Sequence, residues 1–354
     1  MSAQGVMGAI DQARYELMPI GITKEGRWLA SGDPLRALSS GEMADSNPAV
    51  LLAEPGRRGL MRLEKSDEQK GITAVELGQL DVAFPILHGP FGEDGTIQGL
   101  LELAGVPYVG AGVTASAVGM DKVLFKDVMR AHGLPVAPSV ALKRKAWEEH
   151  PEEVLAKIED EIGFDCFVKP ANLGSSVGIT KAHDRFELCD ALDAAARFDR
   201  KILVEVAVDA REIEISVMGN DEPVASVPGE IVPSNEFYDY AAKYLDDESD
   251  LLIPAPIPAE TAELVRRLAV EAYQAIDCAG MARVDFLLER DTNEVYLNEV
   301  NTLPGFTPIS MYPKLWKASG VSYTELIHQL IQLALERFQD KSRSDTSYQL
   351  PDQE

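Results

Sequence analysis

Carboxylate and amide side chains come together on two neighbouring predicted strands near residue 290. Arg283, Asp285, Glu299 and Asn301 flank the turn Asp291-Thr292-Asn293. If the strands form an antiparallel hairpin about this turn, Asp285 faces Glu299 and Arg283 faces Asn301 on one side of the sheet. Hard oxygen ligands at this density suit Mg²⁺, which completes its shell with phosphate and water. The alternative is a solvated hairpin face with a surface ion pair, although an unbridged Asp–Glu pair would be repulsive.

The same hairpin register predicts the packing of the apolar side chains. Leu287 should face Leu297 on the polar side of the sheet. Because side chains alternate with period two, the opposite side should form a core face. That face comprises Val284, Phe286, Leu288, Tyr296 and Val300.

A second group of residues is suited to phosphate. Lys169 ends a predicted strand and precedes the glycine- and serine-rich loop that contains Ser175 and Ser176. Such a loop offers backbone N–H groups and hydroxyls beside the lysine cation. A plain hairpin turn explains the same residues, and the sequence contains no P-loop motif. Lys122, within a predicted helix, is a second candidate phosphate ligand, with an exposed helix lysine as the alternative.

Three loops could complete a site. Gly305 follows Pro304, which cannot continue a strand, and its N–H could serve as an oxyanion donor. His88 opens a glycine-rich loop at the carboxyl end of a predicted parallel strand, the usual ligand position in α/β sheets. Pro233–Leu251 is a polar, tyrosine-rich loop of a length typical of lids. The alternatives are an ordinary turn, a capping or packed histidine and a surface loop.

The elements that hold these residues are of two kinds. In the first third, strands alternate with helices, which indicates a parallel α/β sheet. The predicted elements are helices Ser2–Ile10, Thr96–Ala104 and Ser116–His132, and strands Tyr15–Ile22, Asp81–Leu87 and Pro107–Val109. Residues 31–72 are mixed in polarity and contain two predicted turns, Gly32-Asp33-Pro34 and Glu54-Pro55-Gly56.

The rest of the chain is predicted to be α+β. Its strands are Cys166–Pro170, Val177–Lys181, Lys201–Val206, Glu212–Met218, Val224–Gly229, Ala282–Leu288 and Val295–Asn301. Its helices are Arg185–Ala196, Ala259–Ile276 and Tyr323–Phe338. Gln339–Glu354 is a polar tail that we expect to be disordered.

Composition limits the partners of the chain. The 354 residues include 33 Lys and Arg against 58 Asp and Glu, a formal net charge of −25, with 45% hydrophobic residues. This balance indicates a soluble globular protein and argues against nucleic acid and anionic membranes, which both reward clustered basic residues. No apolar run is long enough to cross a membrane, and no signal peptide is visible. The three scattered cysteines suggest no disulfide framework, so we expect a cytoplasmic protein.

Together and in this order, these segments resemble the D-alanine–D-alanine ligases of the ATP-grasp superfamily. The matching segments are LHGPFGEDGTIQGLLELAGVPYVG, MDK, FVKPANLGSSVG, FYDYAAKY, ARVDF and NEVNTLPGFT, and the resemblance extends to about residue 335. It implies a mixed α/β and α+β chain with the three-domain ATP-grasp fold. The implied units are residues 1–118, 119–204 and 205–338, with a lid at 233–251 and a disordered tail at 339–354.

The resemblance also implies roles for individual residues. Lys122 and Lys169 would hold the phosphates of ATP, with Ser176 closing over them and Lys243 approaching the γ-phosphate. Glu205 and Val208 would bind the adenine, and Glu212 the ribose. Two Mg²⁺ ions, with Mn²⁺ as an alternative, would be held by Asp285, Glu299 and Asn301. Oxyanion stabilisation would come from Arg283 and Gly305, and a hydrogen-bonded pair near the first D-alanine from Ser175 and Tyr244. Further substrate contacts would come from His88, Ser310 and Met311.

The implied reaction is ATP-dependent ligation of two D-alanine molecules, through D-alanyl phosphate, for peptidoglycan synthesis. The alternatives are a D-alanine–D-lactate or D-serine ligase, another carboxylate–amine ligase and a non-catalytic nucleotide-binding protein. Small molecules, D-alanine and ATP, would be the partners, and the chain would be a homodimer. One departure concerns the N-terminus, where the family has a strand, a glycine-rich loop and an ammonium-binding glutamate. Met1 to Gln4 correspond to the helix after that glutamate, so we expect the first domain to be truncated at its start.

Overall fold

The computed structural model describes residues 2–30, 33–40, 48–66, 71–174, 177–232, 250–307 and 309–345, and only the backbone of residues 39, 40, 65 and 66. Three antiparallel sheets, each packed with helices, make up this part of the chain. No helix within it is long and apolar enough to cross a membrane. The predicted domain boundaries stay predictions.

The first sheet is an antiparallel meander of five strands, in the order β1-β2-β3-β4-β5. Its strands are β1 (Gly21–Ile22), β2 (Trp28–Leu29), β3 (Pro48–Leu51), β4 (Gly59–Ser66) and β5 (Gly71–Gln79), with helices α1 (Ser2–Ala9), α2 (Pro34–Ser40) and α3 (Thr96–Leu103) in the same third of the chain. The expected turn near Pro55 is present between β3 and β4. The strand pattern of β5 is hidden in the sequence because most of its side chains are exposed.

The parallel sheet predicted for this region is wrong for the described residues. Their parallel pairing is limited to one isolated bridge, between Ala83 and Tyr108. The predicted strand Tyr15–Ile22 is regular only in β1, and the apolar run Asp81–Leu87 is extended without forming a ladder. Periodicity identified apolar runs correctly but could not show which of them pair.

The second sheet has four strands, in the order β6-β9-β7-β8. They are β6 (Ser139–Lys143), β7 (Cys166–Pro170), β8 (Thr180–Ala182) and β9 (Lys201–Val206). Helices α6 (Arg144–Glu149), α7 (Pro151–Glu161) and α8 (Arg185–Phe198) belong to the same region. The predictions for β7 and β9 are confirmed to the residue, and the predicted Val177–Lys181 strand is shorter and begins at Thr180.

The third sheet has six strands, ordered β13-β12-β10-β14-β15 with β11 paired to β10. They are β10 (Ala210–Gly219), β11 (Val224–Ala225), β12 (Gly229–Val232), β13 (Asp250–Leu252), β14 (Gly280–Glu289) and β15 (Val295–Asn301). Leu251 of the predicted lid lies in β13, and residues 233–249 lie outside the described residues. One face of β10 and β14 packs on helix α9 (Ala259–Ala275) through its buried apolar side chains.

Asp121 divides the predicted helix Ser116–His132 into two. Helix α4 (Val113–Met120) ends there and α5 (Lys122–Ala131) begins. The Asp121 carboxylate accepts hydrogen bonds from the N–H groups of Val123 (3.2 Å) and Leu124 (3.1 Å), the typical role of an N-cap residue. Lys122 therefore stands at the first position of a helix, where the chain changes direction, and not on a helix surface.

The last helices are α10 (Met311–Ala318) and α11 (Tyr323–Lys341). Helix α11 extends three residues beyond the predicted end, so the tail prediction is wrong for Gln339–Lys341. Contacts with the first third of the chain hold this end: Arg337 donates to the Tyr108 carbonyl at 3.1 Å, and Lys341 pairs with Glu102 at 2.6 Å. Residues 346–354 lie outside the described residues.

Candidate active site

The β14–β15 hairpin has the predicted register at its polar end. Arg283 pairs with Asn301 and Asp285 with Glu299, as expected. Beyond Asp285 the register shifts, because Phe286 pairs with Leu297 and Asn298 is an extra residue on β15. The predicted pair Leu287–Leu297 is therefore wrong.

The shift is a β-bulge with a clear consequence for the site. Residues two apart on a regular strand share a face, but a bulge reverses that relation. Leu297 is 1% exposed and joins the core, whereas Glu299 stays on the polar face opposite Asp285. Tyr296, which regular alternation predicts on the core face, is half-buried and pairs with Leu287. The bulge thus allows β15 to supply both a core residue and a carboxylate.

A row of three carboxylates crosses this face of the sheet. Glu214 on β10 pairs with Asp285 on β14, which pairs with Glu299 on β15. Glu214 was missed in the sequence, although its spacing from Glu212 places both on one strand face. Its side chain is 6% exposed. Opposed acidic side chains repel unless a cation lies among them.

Arg283 supplies a cation to this row. Its Nε donates to Asp285 Oδ1 at 2.7 Å and a terminal nitrogen donates to Oδ2 at 2.6 Å, while Nε lies 3.1 Å from Glu214 Oε2. Burial alone would lower the pKa of Arg283, but the charges of Asp285 and Glu214 raise that pKa well above its ordinary value. Arg283 is therefore a permanent cation among carboxylates.

The donor set of this face fits a divalent cation. Asp285, Glu299 and Asn301 present carboxylate and amide oxygens from adjacent strands, the chemistry that Mg²⁺ favours. Asn301 Oδ1 accepts a hydrogen bond from the Leu303 N–H at 3.0 Å, which fixes the orientation of the amide. In the described part of the chain, no three His, Cys, Asp or Glu side chains are already gathered at metal-binding geometry. The Asp285 carboxylate instead faces Arg283.

A cluster of opposite sign lies at the four-stranded sheet. Glu205 on β9 is 2% exposed, and its Oε1 is paired with Lys169 of β7. Its Oε2 lies 2.9 Å from Nζ of Lys126 on α5. Burial raises the pKa of Glu205, but the attraction of Lys169 and Lys126 outweighs burial and lowers the pKa to about 2.

Lys126 was missed in the sequence. The available signal was its spacing from Lys122, because residues four apart share one helix face. Lysines on a helix are usually read as solvated, yet Lys126 is 2% exposed. Burial lowers its pKa, and the negative charge of Glu205 opposes that effect.

Lys122 contacts the predicted phosphate loop directly. Its Nζ donates to the Leu173 carbonyl at 2.5 Å, and its backbone N–H donates to the Ala171 carbonyl at 3.0 Å. Asp121 pairs with Lys201 at the start of β9 and anchors the same helix end. Two predicted phosphate ligands, Lys122 and Lys169, therefore flank one loop. The loop residues Ser175 and Ser176 lie outside the described residues, as do Lys243 and Tyr244 of the predicted lid.

The predicted adenosine ligands lie where the chain passes from the second sheet to the third. Strand β9 ends at Val206 and β10 begins at Ala210, so the half-buried Val208 lies in the connection. Glu212 is half-buried near the start of β10. Glu205 differs from the simple ligand expected, because both of its oxygens are paired with lysines.

The loop after β15 approaches the N-terminus of α10. A Cβ on Gly305 would lie 2.9 Å from Ser310 Oγ, so a side chain at this position would displace Ser310. Ser310 Oγ accepts a hydrogen bond from the Thr307 N–H at 3.0 Å and shares a second, of 2.7 Å, with Thr307 Oγ1. These bonds fix Ser310 against Thr307, with Gly305 close beside the Ser310 side chain.

The contact of Met311 with a substrate stays a prediction, and the structure restricts it to the main chain. Its side chain is 5% exposed and packs in a small core with Ile231 and Leu315, so it is not available to a substrate. Its backbone N–H remains suitable because Met311 is the first residue of α10, and helix N-termini favour anions. A residue chosen for packing can thus still contribute its main chain to a site.

Glu93 lies between His88 and the predicted phosphate loop. His88 Nδ1 lies 3.6 Å from Glu93 Oε1, and the Gly89 N–H donates to Glu93 Oε2 at 2.8 Å. The same oxygen lies 3.6 Å from the position of a Cβ on Gly174, which places the His88 loop beside the predicted phosphate loop. Glu93 was not singled out in the sequence, although it lies within the same glycine-rich motif.

Two family models match the chain. The model described as D-ala D-ala ligase N-terminus matches residues 1–111, and the model described as D-ala D-ala ligase C-terminus matches residues 128–332. Together they cover the Arg283 cluster and, in the other cluster, Glu205 and Lys169, whereas Lys122 and Lys126 lie between the two matched ranges.

Individual proteins are similar over nearly the whole chain. The D-alanine–D-alanine ligase of Natranaerobius thermophilus is 47% identical over 348 residues, covering 98% of this chain and 93% of that protein. The ligase of Thermoanaerobacter sp. strain X514 is 53% identical over 345 residues, covering 97% of this chain and 94% of that protein.

Solved structures agree. The D-alanine–D-alanine ligase of Coxiella burnetii superposes with a TM-score of 0.79 at 34% identity, covering 97% of this chain and 92% of that chain. The VanG D-Ala:D-Ser ligase of Enterococcus faecalis gives a TM-score of 0.81 at 34% identity, covering 94% of each chain. The sequence and the fold thus lead to the same conclusion: the chain has the ATP-grasp fold and belongs to the D-alanine–D-alanine ligase family.

Proposed function

We infer that this chain catalyses the ATP-dependent ligation of two D-alanine molecules to D-alanyl-D-alanine for peptidoglycan synthesis, the reaction for which its relatives are named. ATP and a divalent metal ion are the cofactors of this family. The observation that carries the inference is the pair of clusters of opposite sign, lysines around Glu205 and carboxylates around Arg283. A metal–nucleotide complex carries both charges and needs both kinds of partner.

The lysines bind the phosphates in this proposal. Lys122 and Lys169 flank the loop at residues 171–174 and approach the phosphate chain from two elements. Val208 and Glu212 bind the adenosine end where β9 passes into β10. Compact lysine cations suit a phosphate chain because each acts as a point charge.

The carboxylate face would hold the metal in this proposal. Asp285, Glu299 and Asn301 would bind two Mg²⁺ ions, with Mn²⁺ as an alternative. When bound, the metal neutralises charge on the phosphoryl oxygens during transfer. Asp285 is held by Arg283 beforehand, so it is oriented without being an uncompensated buried charge.

The reaction has two steps. A carboxylate oxygen of the first D-alanine attacks the γ-phosphorus, and ADP leaves, giving D-alanyl phosphate. The deprotonated amine of the second D-alanine then attacks the acyl carbon, and phosphate leaves with the attacked carboxylate's oxygen. Arg283 and the Gly305 N–H stabilise the tetrahedral oxyanion, at about 3 kcal/mol for one strong donor.

The remaining residues orient the substrates and exclude water. His88, fixed by Glu93, Ser310 and the Met311 N–H contact the substrate groups from two loops. Ser175, Ser176, Lys243 and Tyr244 act from the loops that close over the site. Water exclusion matters because an acyl phosphate hydrolyses readily. The cytoplasmic location and the homodimer stay predictions.

A second candidate differs only in the acceptor. One similar solved structure is named a D-Ala:D-Ser ligase, so D-serine is an acceptor to test beside D-alanine, with D-lactate as the third. Tyr244 is the residue that we expect to favour an amine over a hydroxyl acceptor. A non-catalytic nucleotide-binding protein is disfavoured because the proposed phosphate and metal ligands are all present.

The test is phosphate release from ATP by the purified chain with Mg²⁺, measured with and without D-alanine. We expect release to require D-alanine and Mg²⁺, and D-alanyl-D-alanine to be the main product when D-alanine, D-serine and D-lactate compete. Phosphate release at the same rate with and without D-alanine would refute the assignment of D-alanine as the substrate. A main product containing D-serine or D-lactate would refute D-alanine as the preferred acceptor. The first step, formation of D-alanyl phosphate, would still stand.

A further inference from the structure

Two lysines pair with Glu205, although one cation would balance the charge of its carboxylate. Lys126 and Lys169 both pair with the single Glu205 carboxylate, one on each oxygen. Of these two lysines, only Lys169 is a predicted phosphate ligand, and Lys126 has no role in the proposed reaction. A second buried ammonium group is costly to maintain unless it has a function or a partner.

The two lysines differ in access. The Lys126 side chain is 3% exposed, like that of Glu205, whereas the Lys169 side chain is 12% exposed. Lys169 is also on the strand that leads directly into the loop at residues 171–174. Lys126 is on the buried face of α5 and contacts the other oxygen of Glu205. A ligand at the loop can therefore reach Lys169 and cannot reach Lys126.

Binding of a phosphate to Lys169 creates a difficulty at Glu205. If Lys169 were the sole partner, its movement towards the phosphate would leave a buried carboxylate with no cation, which is strongly unfavourable. Lys126 is on the other oxygen, 2.9 Å away, and does not need to move. It keeps Glu205 ionised and in place near the end of β9, close in sequence to Val208 and Glu212.

We propose that Lys126 is a positioning residue, a fixed counter-ion of Glu205 that permits Lys169 to leave the carboxylate and bind the phosphates of ATP. The proposal rests on the inferred nucleotide site. It requires that the contribution of Lys126 depends on the phosphates of the ligand and not on the adenosine. A lysine with a merely structural role would affect both to the same extent.

The test compares two ligands in the absence of D-alanine. The first is the β,γ-imido analogue of ATP with Mg²⁺, measured by calorimetry, and the second is adenosine, measured by displacement of a fluorescent adenosine analogue. For Lys126→Met we expect the Kd of the imido analogue to rise about 100-fold, equivalent to about 2.7 kcal/mol, and that of adenosine to rise less than 3-fold. Lys157→Met is the control, because Lys157 is an exposed helix lysine paired at 3.9 Å with Glu161.

A double variant tests the link to Glu205. Glu205→Gln removes the charge that needs a counter-ion, so Lys126→Met added to it should raise the Kd of the imido analogue by less than 3-fold. Lys126→Arg retains the cation and should stay within about 5-fold of the parent chain. If Lys126→Met does not fold, Lys126→Gln is measured in its place with the same expectation.

Two results would overturn the proposal. One is an equal loss of affinity for both ligands in the single variant, and the other is a 100-fold loss that persists when Glu205 is already Gln. Because no D-alanine is present, these outcomes are independent of the ligation reaction. Failure of D-alanine-dependent phosphate release would refute the proposed function and leave the nucleotide measurement intact.

Discussion

The two ionic clusters of the site have the same plan with opposite signs. At the four-stranded sheet, a carboxylate, Glu205, lies between the lysines Lys126 and Lys169. At the six-stranded sheet, a guanidinium, Arg283, lies between the carboxylates Glu214 and Asp285. In each cluster a central ion of one sign is held by two ions of the other.

In both clusters, the two ions that flank the central ion differ in their exposure to solvent. The side chains of Lys169 and Asp285, the predicted ligands, are 12% and 14% exposed, whereas those of Lys126 and Glu214 are 3% and 6% exposed. Each cluster thus has one inner ion that secures the centre and one outer ion that can turn to a ligand. The site can be charged, buried and oriented before the ligand binds, which lowers the reorganisation needed during catalysis.

The largest loss of activity is expected for Glu299, the proposed metal ligand opposite Asp285. We expect Glu299→Gln to reduce kcat/KM about 1,000-fold, because the proposed metal loses one of its carboxylates. Folding should change little, since the substitution also removes the repulsion between Glu299 and Asp285. Activity assays across Mg²⁺ concentrations, with a thermal melt, provide the measurement.

The control for this variant is Glu294→Gln, at an exposed position near the same strand. It should leave kcat/KM within about 2-fold of the parent chain. A Glu299→Gln enzyme with near-normal activity at modest Mg²⁺ would show that Glu299 is not a metal ligand.

Substitution of Glu214, the less exposed carboxylate beside Arg283, should have a smaller effect on activity. Glu214→Gln removes one of two anions that hold Arg283, so the guanidinium keeps its bonds to Asp285 but loses its second anchor. We expect kcat to fall about 30-fold with the KM for ATP within 3-fold, because Arg283 acts on the acyl-transfer step. Steady-state kinetics with Glu222→Gln, an exposed glutamate in the following turn, as the control checks this. An unchanged kcat with a raised KM would assign Glu214 to nucleotide binding instead.

The smallest effect concerns acid stability. The pKa of Glu205 is lowered to about 2 in the folded chain, below its value of 4.5 when unpaired. Its ion pairs therefore contribute stability that is present above about pH 4.5 and is lost as the pH falls towards 2. We expect Glu205→Gln to melt below the parent chain at pH 7 and the difference to shrink steadily from pH 5 to pH 3. A constant difference over this range would mean that the carboxylate charge is not the source of the stability.

The sequence was most informative where local pattern decides the structure. Strands β7, β9 and β15 were predicted to the residue, and period-two alternation placed Asp285 opposite Glu299. The turn at residues 291–293 fixes that register, and turn chemistry is readable from sequence.

Long-range partners could not be predicted. Lys126, Glu214 and Glu93 are charged residues that a sequence pattern assigns to solvent. Lys126 pairs with Glu205, which is distant along the chain, and Glu214 pairs with Arg283 on the neighbouring strand. Glu93 accepts from the Gly89 N–H of its own loop but also lies beside the distant Gly174. The bulge at Asn298 was hidden because the gain from burying Leu297 depends on packing against β14 and the core. The meander at β3 to β5 was missed because its outer strand is mostly exposed.

The most direct test of the central claim follows one oxygen atom. The purified chain is incubated with ATP, Mg²⁺ and D-alanine labelled with ¹⁸O in both carboxylate oxygens, and the released phosphate is examined by mass spectrometry. If a carboxylate oxygen attacks the γ-phosphorus and leaves with it, each phosphate formed together with D-alanyl-D-alanine carries one ¹⁸O. Phosphate without ¹⁸O would show that water attacks ATP directly, and it would contradict ligation through D-alanyl phosphate.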